Sequence, residues 1–410
     1  MKLNKLPFEK LRKAAFLLYV FSMCAFNMNS RFDTIVSRST LVILFMVEAL
    51  SFLADRKLPK LRLKSYLVGF LCFVAYVFLA CFWAPSKSDA FNIPYWFAFA
   101  QILFVAYLLD QHVHTQADAL SYLRLLLFAL VLVLVVLVVR TPIESFGKSR
   151  LGYEMGHNPN TIGIFGAIGS MLCLYFASEK KWYYLPGVAF LAVTVLSASR
   201  KGILMLVIGY ALFLIFQARG KKMVRNLVII AVLAVVASIA VMKIDFLYDL
   251  VGSRMEAMVN SFLGKDGDYS MNERAFFTDY ALGMMGDHPI FGGGTNCFVT
   301  EMRRIEYKNI AYCHNNYLEL LVTLGVVGLV LYYNVPLRVF VLGVYGCVKA
   351  NNKIVLLVMS VMTMILLGEI FYVSFFDRFT QYVVMLMYLL LKTTVEENTE
   401  LFGKGIKKWI

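Results

Sequence analysis

His314 stands in Tyr312-Cys-His-Asn-Asn-Tyr-Leu-Glu-Leu320, at the mouth of an apolar segment. An imidazole in that position can accept a proton near neutral pH. Arg274 follows Ser270-Met-Asn-Glu273, a pattern that fits a capping box at the start of a helix. The positive end of a helix favours anions, so an arginine in its first turn runs against preference. The free amides and the guanidinium together suit a bound phosphate, and pairing with Asp268 or Glu273 is the plainer alternative. Arg200 lies in Leu196-Ser-Ala-Ser-Arg-Lys-Gly202, between two apolar runs. A cation beside hydrocarbon takes an anionic partner or snorkels to the interface. Base chemistry and anion binding are what these residue types offer.

The remaining chemistry-bearing residues are less specific. Gly292-Gly-Gly-Thr295 permits positive φ and a close backbone approach to a ligand, but a tight turn explains it equally well. It lacks the Lys-Ser/Thr ending of a nucleotide-binding loop. Four further histidines (His112, His114, His157 and His288) are scattered, and no HExxH, Cys-x-x-Cys or carboxylate pair at metal spacing occurs. A metal site is therefore not expected. Cys297 and Cys313 are outside the apolar runs, and a disulfide between them would close a 17-residue loop. Glu48 and Glu369 lie within apolar runs, where pairing between helices is the simpler reading.

These residues belong to a chain of 410 residues that is 60% hydrophobic and only 16% charged. A soluble domain carries about 25% charge, so a water-soluble fold is excluded. The net charge of +14 comes from lysines and arginines clustered in short loops, and no basic and aromatic platform supports nucleic-acid binding. The expected fold is an all-α integral membrane protein of about 12 transmembrane helices, with one large extracytoplasmic loop containing short helices. Spans are expected near 14–30, 37–54, 65–83, 92–109, 120–139, 160–178, 183–199, 202–217, 227–243, 315–335, 353–375 and 379–391, each near the length needed to cross hydrocarbon. Asn334 and Pro336 are expected to break the long run from 315 to 348.

The chain then divides into spans one to nine (1–242), a catalytic loop (243–313), spans ten to twelve (314–391) and a tail (392–410). The basic start, Met1 to Lys13, precedes no small-residue cleavage site and reads as the flank of a retained first span. Lysines and arginines such as Lys10, Arg12, Lys57, Lys60, Lys221, Arg225, Lys404 and Lys407 put both termini on the cytoplasmic side. The 243–313 loop then faces outward. Arg200 falls at the outer end of the seventh span.

Taken in order, four elements resemble the bacterial O-antigen ligase and polysaccharide-polymerase superfamily. They are Gly156-His-Asn-Pro-Asn160, Leu196-Ser-Ala-Ser-Arg-Lys-Gly202, Asn272-Glu-Arg274 fifteen residues before Pro289-Ile-Phe-Gly-Gly293, and His314-Asn-Asn-Tyr-Leu-Glu-Leu-Leu-Val-Thr-Leu-Gly-Val-Val-Gly328. The resemblance covers about residues 150–335, and Val322-Thr323 stands where relatives often carry a further polar or acidic residue. It implies a multi-pass enzyme of the bacterial inner membrane, without metal or cofactor. Such an enzyme moves a glycan from a polyprenyl diphosphate carrier to an acceptor glycan or glycolipid. Carried over, Arg200 and Arg274 would hold the diphosphate and His314 would activate the acceptor hydroxyl. A repeat-unit polymerase is slightly favoured over a ligase acting on lipid A-core. From another class, a lipid-linked oligosaccharide flippase has similar length and charge, but an internal repeat is not visible and the polar residues gather on one side.

Overall fold

Apolar runs of membrane-crossing length are helices because the backbone must satisfy its own hydrogen bonds in hydrocarbon. The computed structural model describes residues 5–26, 31–55, 65–146, 149–153, 156–218, 220–263, 269–307, 311–350, 352–398 and 402. Lys57, Lys60, Asp268, Lys404 and Lys407, named above, lie outside them. Seventeen α-helices and no β-strand occur among the described residues. They are α1 (Lys5–Ala25), α2 (Arg31–Asp55), α3 (Ser65–Ala80), α4 (Lys87–Ala90), α5 (Ile93–His112), α6 (Gln116–Arg140), α7 (Pro159–Ala177), α8 (Tyr184–Leu196), α9 (Arg200–Gln217), α10 (Lys221–Lys243), α11 (Asp245–Leu247), α12 (Ser253–Phe262), α13 (Tyr269–Asp287), α14 (Cys297–Arg304), α15 (Asn316–Ala350), α16 (Lys353–Gly368) and α17 (Arg378–Glu397). Each of the twelve expected spans overlaps one of these helices, and the end of the first (27–30) lies outside the described residues. Seven helices among the described residues are long and apolar enough to cross a membrane, with shorter apolar helices at Tyr66–Ala80, Lys181–Leu196 and Lys353–Gly368. The chain is an all-α, multi-pass membrane protein.

Local signals set many of the boundaries. Thr115 and Asp118 form a reciprocal capping box at the start of α6. Asn158 caps α7 with Pro159 in the first helical position, Asn352 caps α16 and Asp377 caps α17. Two of the expected boundaries change. α16 ends at Gly368, and the segment to Asp377 is not helical. α15 continues through Pro336, and its break is instead at Gly325, with φ 65 and ψ −168.

The chain forms two compact units built from interleaved segments. Unit 1 comprises Met1–Arg62, Thr115–Ala211 and Leu227–Gly252; unit 2 comprises Leu63–His114, Leu212–Asn226 and Ser253–Ile410. In unit 1, α1 packs on α2 and α6, and α7 on α6 and α8. In unit 2, α15 is central and packs on α3, α13, α14, α16 and α17.

Breaking a helix inside hydrocarbon leaves polar groups that must find other partners. At Gly325 the triglycine segment supplies them. The Gly293 and Gly294 amides donate to the Val322 and Thr323 carbonyls (2.8 and 2.9 Å), and the Val326 and Val327 amides donate to the Pro289 and Ile290 carbonyls (3.0 and 3.2 Å). Tyr76 of α3 donates from its hydroxyl to the Phe291 and Leu324 carbonyls, each at 3.1 Å. Trp83 donates to the Gly292 carbonyl at 3.1 Å. The glycines thus approach the backbone of α15 rather than an open ligand site. A Cβ on Gly292 would meet the Thr323–Leu324 backbone, and Gly292 and Gly294 both have positive φ.

Candidate active site

In unit 2, α13 begins by Tyr269 and already contains Ser270, so Ser270 does not cap it from outside. Arg274 is therefore in the second turn, roughly 7 Å along the axis from Tyr269, and not among the first free amides. What α13 does give Arg274 is a face. Phe277 and Ala281 lie three and seven residues further along, on the same side of the helix. Both are buried in a cluster with Cys297, Phe298, Met302, Ala311, Cys313 and Val322, against which Met284 and Met285 also pack. Tyr280 donates to Glu301 Oε1 at 2.9 Å, joining α13 to α14. α14 is in turn tied to α4, where Arg303 donates to both oxygens of Asp89 (2.9 and 3.0 Å) and Thr300 donates to Asp89 Oδ2 at 2.9 Å.

His314 sits in a strained turn at the entrance to α15, with φ 56. Side chains other than glycine seldom adopt that region, so neighbouring contacts must hold it. The Cys313 amide donates to buried Glu319 Oε2 at 2.7 Å. Asn315 Oδ1 accepts from the Tyr317 and Leu318 amides (2.9 and 3.2 Å), capping α15. Fully buried Asn316 is anchored on the non-helical segment after α16. Its Oδ1 accepts from the Ser374 and Phe375 amides (2.8 and 3.2 Å), its Nδ2 donates to the Tyr333 hydroxyl at 2.9 Å, and its amide donates to the Glu369 carbonyl at 2.8 Å. Glu369 does join helices, through phenols rather than a cation. Tyr333 donates to its Oε2 at 2.7 Å and Tyr332 to its Oε1 at 3.1 Å, and Ser374 also bonds it.

The imidazole of His314 is flanked by two rings. Phe277 lies nearly parallel to it (20°) with centroids 5.8 Å apart, and Tyr312 is tilted against it at 4.2 Å. Arg274 is one turn before Phe277 and close enough to Tyr312 to act on its hydroxyl electrostatically. The fold therefore brings Arg274 and His314 into one neighbourhood, with Phe277 and Tyr312 as the connecting pieces. Sequence reasoning missed both aromatics: nothing in the spacing marks Phe277, and Tyr312 reads only as a neighbour of the histidine. Cys297 and Cys313 are free, buried thiols in the same cluster. Burial pushes both thiols well above their ordinary range, and the Cys297 thiol donates to the Val322 carbonyl at 3.5 Å. In this structure the turn is held by Glu319 and Asn316 without a disulfide.

Arg200 belongs to unit 1, where it is the first residue of α9. The preceding turn is also strained, with Ala198 at φ 48. Ser199 caps α9: its hydroxyl accepts from the Gly202 amide at 3.2 Å and its carbonyl accepts from the Ile203 amide at 3.0 Å. Asn160 Oδ1 accepts from the Ser199 hydroxyl at 3.2 Å and from Arg150 at 3.0 Å. Arg150 also donates to the Ser197 carbonyl at 3.0 Å. A Cβ on Gly202 would meet the Gly163 backbone at 2.8 Å, so α9 and α7 touch main chain to main chain. The His-Asn-Pro-Asn and Ser-Arg-Lys-Gly motifs, 40 residues apart in sequence, are thus one local structure, and Arg150 is a member that the sequence did not single out.

A multi-pass helical membrane protein with Arg200 and His314 at strained turns before helices, and with Arg274 one turn from the Phe277 ring that packs on His314, is what these observations define. Residues 185–333 match the family model described as O-antigen ligase. This segment, which is under half of the 410-residue chain, is similar to the O-antigen ligase family. The match takes in Arg200, Arg274 and His314; the 156–160 motif falls before it. No curated protein matches the chain.

Proposed function

We propose that the protein is a glycosyltransferase of the bacterial inner membrane that takes a glycan from a polyprenyl diphosphate donor and passes it to an acceptor sugar hydroxyl. The observation that carries this reading is the packing of His314 against the helix bearing Arg274, inside the segment that matches the O-antigen ligase family. As the anomeric carbon leaves the lipid diphosphate, negative charge grows on the leaving oxygens. Guanidinium groups remain charged and fork onto phosphate oxygens, which lowers the barrier by stabilising that charge as it develops. Arg274 and Arg200 are assigned this role, Arg200 by its place in the matched segment. His314 accepts the proton of the acceptor hydroxyl. In-line attack inverts the anomeric configuration, and no metal is required for it. The distribution of lysine and arginine supports cytoplasmic termini and an outward-facing 243–313 segment, the side where a surface polysaccharide is assembled.

Within this reading the acceptor is taken to be a second lipid-linked repeat unit, which makes the enzyme a polymerase. The description of the matched family favours the alternative, a ligase delivering glycan to lipid A-core. Incubating the purified protein with a lipid-linked repeat unit alone should give a ladder of lengthened glycans on a gel. Transfer that occurs only when lipid A-core is added assigns the ligase. Absence of transfer to either acceptor from a competent donor rejects the glycosyltransferase.

A further inference from the structure

Glu369 is a buried carboxylate for which the transfer reaction has no use. It lies just past α16 and three hydroxyls surround it, Tyr333 on Oε2 and Tyr332 and Ser374 on Oε1. Main-chain groups fix which atom donates in each bond. At one end Asn316 Oδ1 accepts from the Ser374 and Phe375 amides, so its Nδ2 is the donor to the Tyr333 hydroxyl. At the other end the Ser374 carbonyl can only accept. Gln381 Nε2 therefore faces it at 3.0 Å and also donates to the Tyr332 hydroxyl at 2.8 Å. Gln381 Oε1 is left to accept from the Tyr66 hydroxyl of α3 at 3.2 Å.

A phenol has a single hydrogen to give. With an amide donating into each phenol oxygen, that hydrogen must leave on the other side. Tyr333 gives it to Glu369 Oε2, and Tyr332 gives it to Oε1 directly or through Ser374. The hydrogens of both phenols and of Ser374 thus converge on one carboxylate, and every side chain of this network is buried. A polar group abandoned at such a place is expensive, so the acceptor at the centre keeps the donors around it in place. Asn316 is the member that reaches the candidate site, two residues after His314. Glu369 holds it twice, by its carbonyl on the Asn316 amide at 2.8 Å and by its carboxylate through Tyr333. The Tyr333 ring also stacks on Tyr317, the next residue, at 6° and 4.8 Å.

We infer that Glu369 is a positioning residue for His314, whose carboxylate acts through Tyr333 and Asn316 to fix the strained turn that carries the imidazole. The inference rests on the glycan-transfer reading for what His314 does, and extends it to a residue outside the segment that matches the family.

Two substitutions test it. Glu369→Gln keeps the size of the side chain but places an N–H2 group where a carboxylate oxygen accepted, so the Tyr333 or the Ser374 hydrogen loses its acceptor. A side chain that only filled space would tolerate the change. Tyr333→Phe cuts the link to Asn316 while keeping the ring on Tyr317, and decides the matter alone if Glu369→Gln does not fold. The full-length proteins in detergent would be compared with a lipid-linked repeat unit as donor. Each variant should lower kcat about tenfold to a hundredfold, the scale of a small misplacement of a reacting group, with KM for the donor unchanged. Amide hydrogen exchange over 313–318 should rise in both. Thr40→Val, which breaks the buried Ser22–Thr40 hydrogen bond between α1 and α2, is the control for lost stability and should lower Tm without lowering kcat. Wild-type kcat in a folded variant overturns the inference and leaves the transfer reading intact. An equal fall of kcat in Thr40→Val assigns Glu369 to stability alone and also overturns it. Absence of transfer by the wild-type protein overturns the reading instead, and unchanged exchange over 313–318 in both variants then shows that Glu369 does not hold the turn either.

Discussion

The turn that presents Arg200 and the turn that presents His314 solve one problem in two ways. Each sets a non-glycine residue in left-handed backbone just before a helix, Ala198 at φ 48 in one and His314 at φ 56 in the other. Each must therefore be held by its surroundings. Around Arg200 the hold is close packing of small groups: serine caps, one asparagine, and the main-chain contact of Gly202 with Gly163. Around His314 it is buried polar chemistry and stacked rings: Glu319, Asn316, Tyr312 and Phe277. The difference fits the two side chains. A guanidinium on a long flexible stem needs only its helix start fixed, whereas the general base proposed for His314 needs its ring oriented to within a fraction of an ångström.

On that contrast the two turns should break differently. The largest effect is expected for Gly202→Ala, because the new methyl would meet the Gly163 backbone, which cannot move as a side chain can. A cost above about 3 kcal/mol should show as a collapse of the folded, monodisperse peak in size-exclusion chromatography. A normal peak would remove close packing as the device in that turn. Asn316→Ala comes next, since it strips three side-chain hydrogen bonds from a fully buried position. The Ser374 and Phe375 amides lose one shared acceptor while Tyr333 keeps Glu369 as its partner, so the cost is roughly 1–3 kcal/mol and the unfolding temperature should fall by several degrees. Glu319→Ala should cost about 1–3 kcal/mol by leaving the Cys313 amide without its acceptor. Glu319→Gln retains an acceptor oxygen and should recover most of the loss in Tm and in kcat. Equal damage from both variants would mean that the carboxylate does something other than accept that amide. The smallest effect is assigned to Ser199→Ala, about 1 kcal/mol for a lost helix cap, read as a drop of a few degrees in Tm with kcat little changed.

How much of this was visible in the chain follows from the range of each interaction. The spans were legible because twenty apolar residues in a row have few alternatives. Arg200, Arg274 and His314 stand out in the chain through the motifs that resemble the O-antigen ligase family, and their roles are the proposal made above. The break in α15 was misplaced at Asn334 and Pro336, since proline is the stronger local signal. A membrane helix tolerates proline when its freed carbonyl finds other partners. The helix breaks at Gly325 because residues of the Pro289–Gly294 segment bond to Val322, Thr323, Val326 and Val327 on either side of it, and no local pattern reports contacts so distant in sequence. Ser270-Met-Asn-Glu273 looked like a helix start, but α13 already contains Tyr269 and Ser270, and this moves Arg274 into the second turn. Arg150, Phe277 and Tyr312 were overlooked for the same reason: their meaning lies in contacts across sequence, not in spacing along it.

The central claim is that Arg274 and His314 serve one transfer reaction, and one assay measures it most directly. Purified wild-type, Arg274→Ala and His314→Ala proteins, each giving the same monodisperse peak, would be incubated with a lipid-linked repeat unit and a competent acceptor, and initial rates compared. Both substitutions should lower the rate by at least about a hundredfold, the usual contribution of a positioned base or a charge-stabilising donor. Transfer at near wild-type rate in both variants would contradict the account.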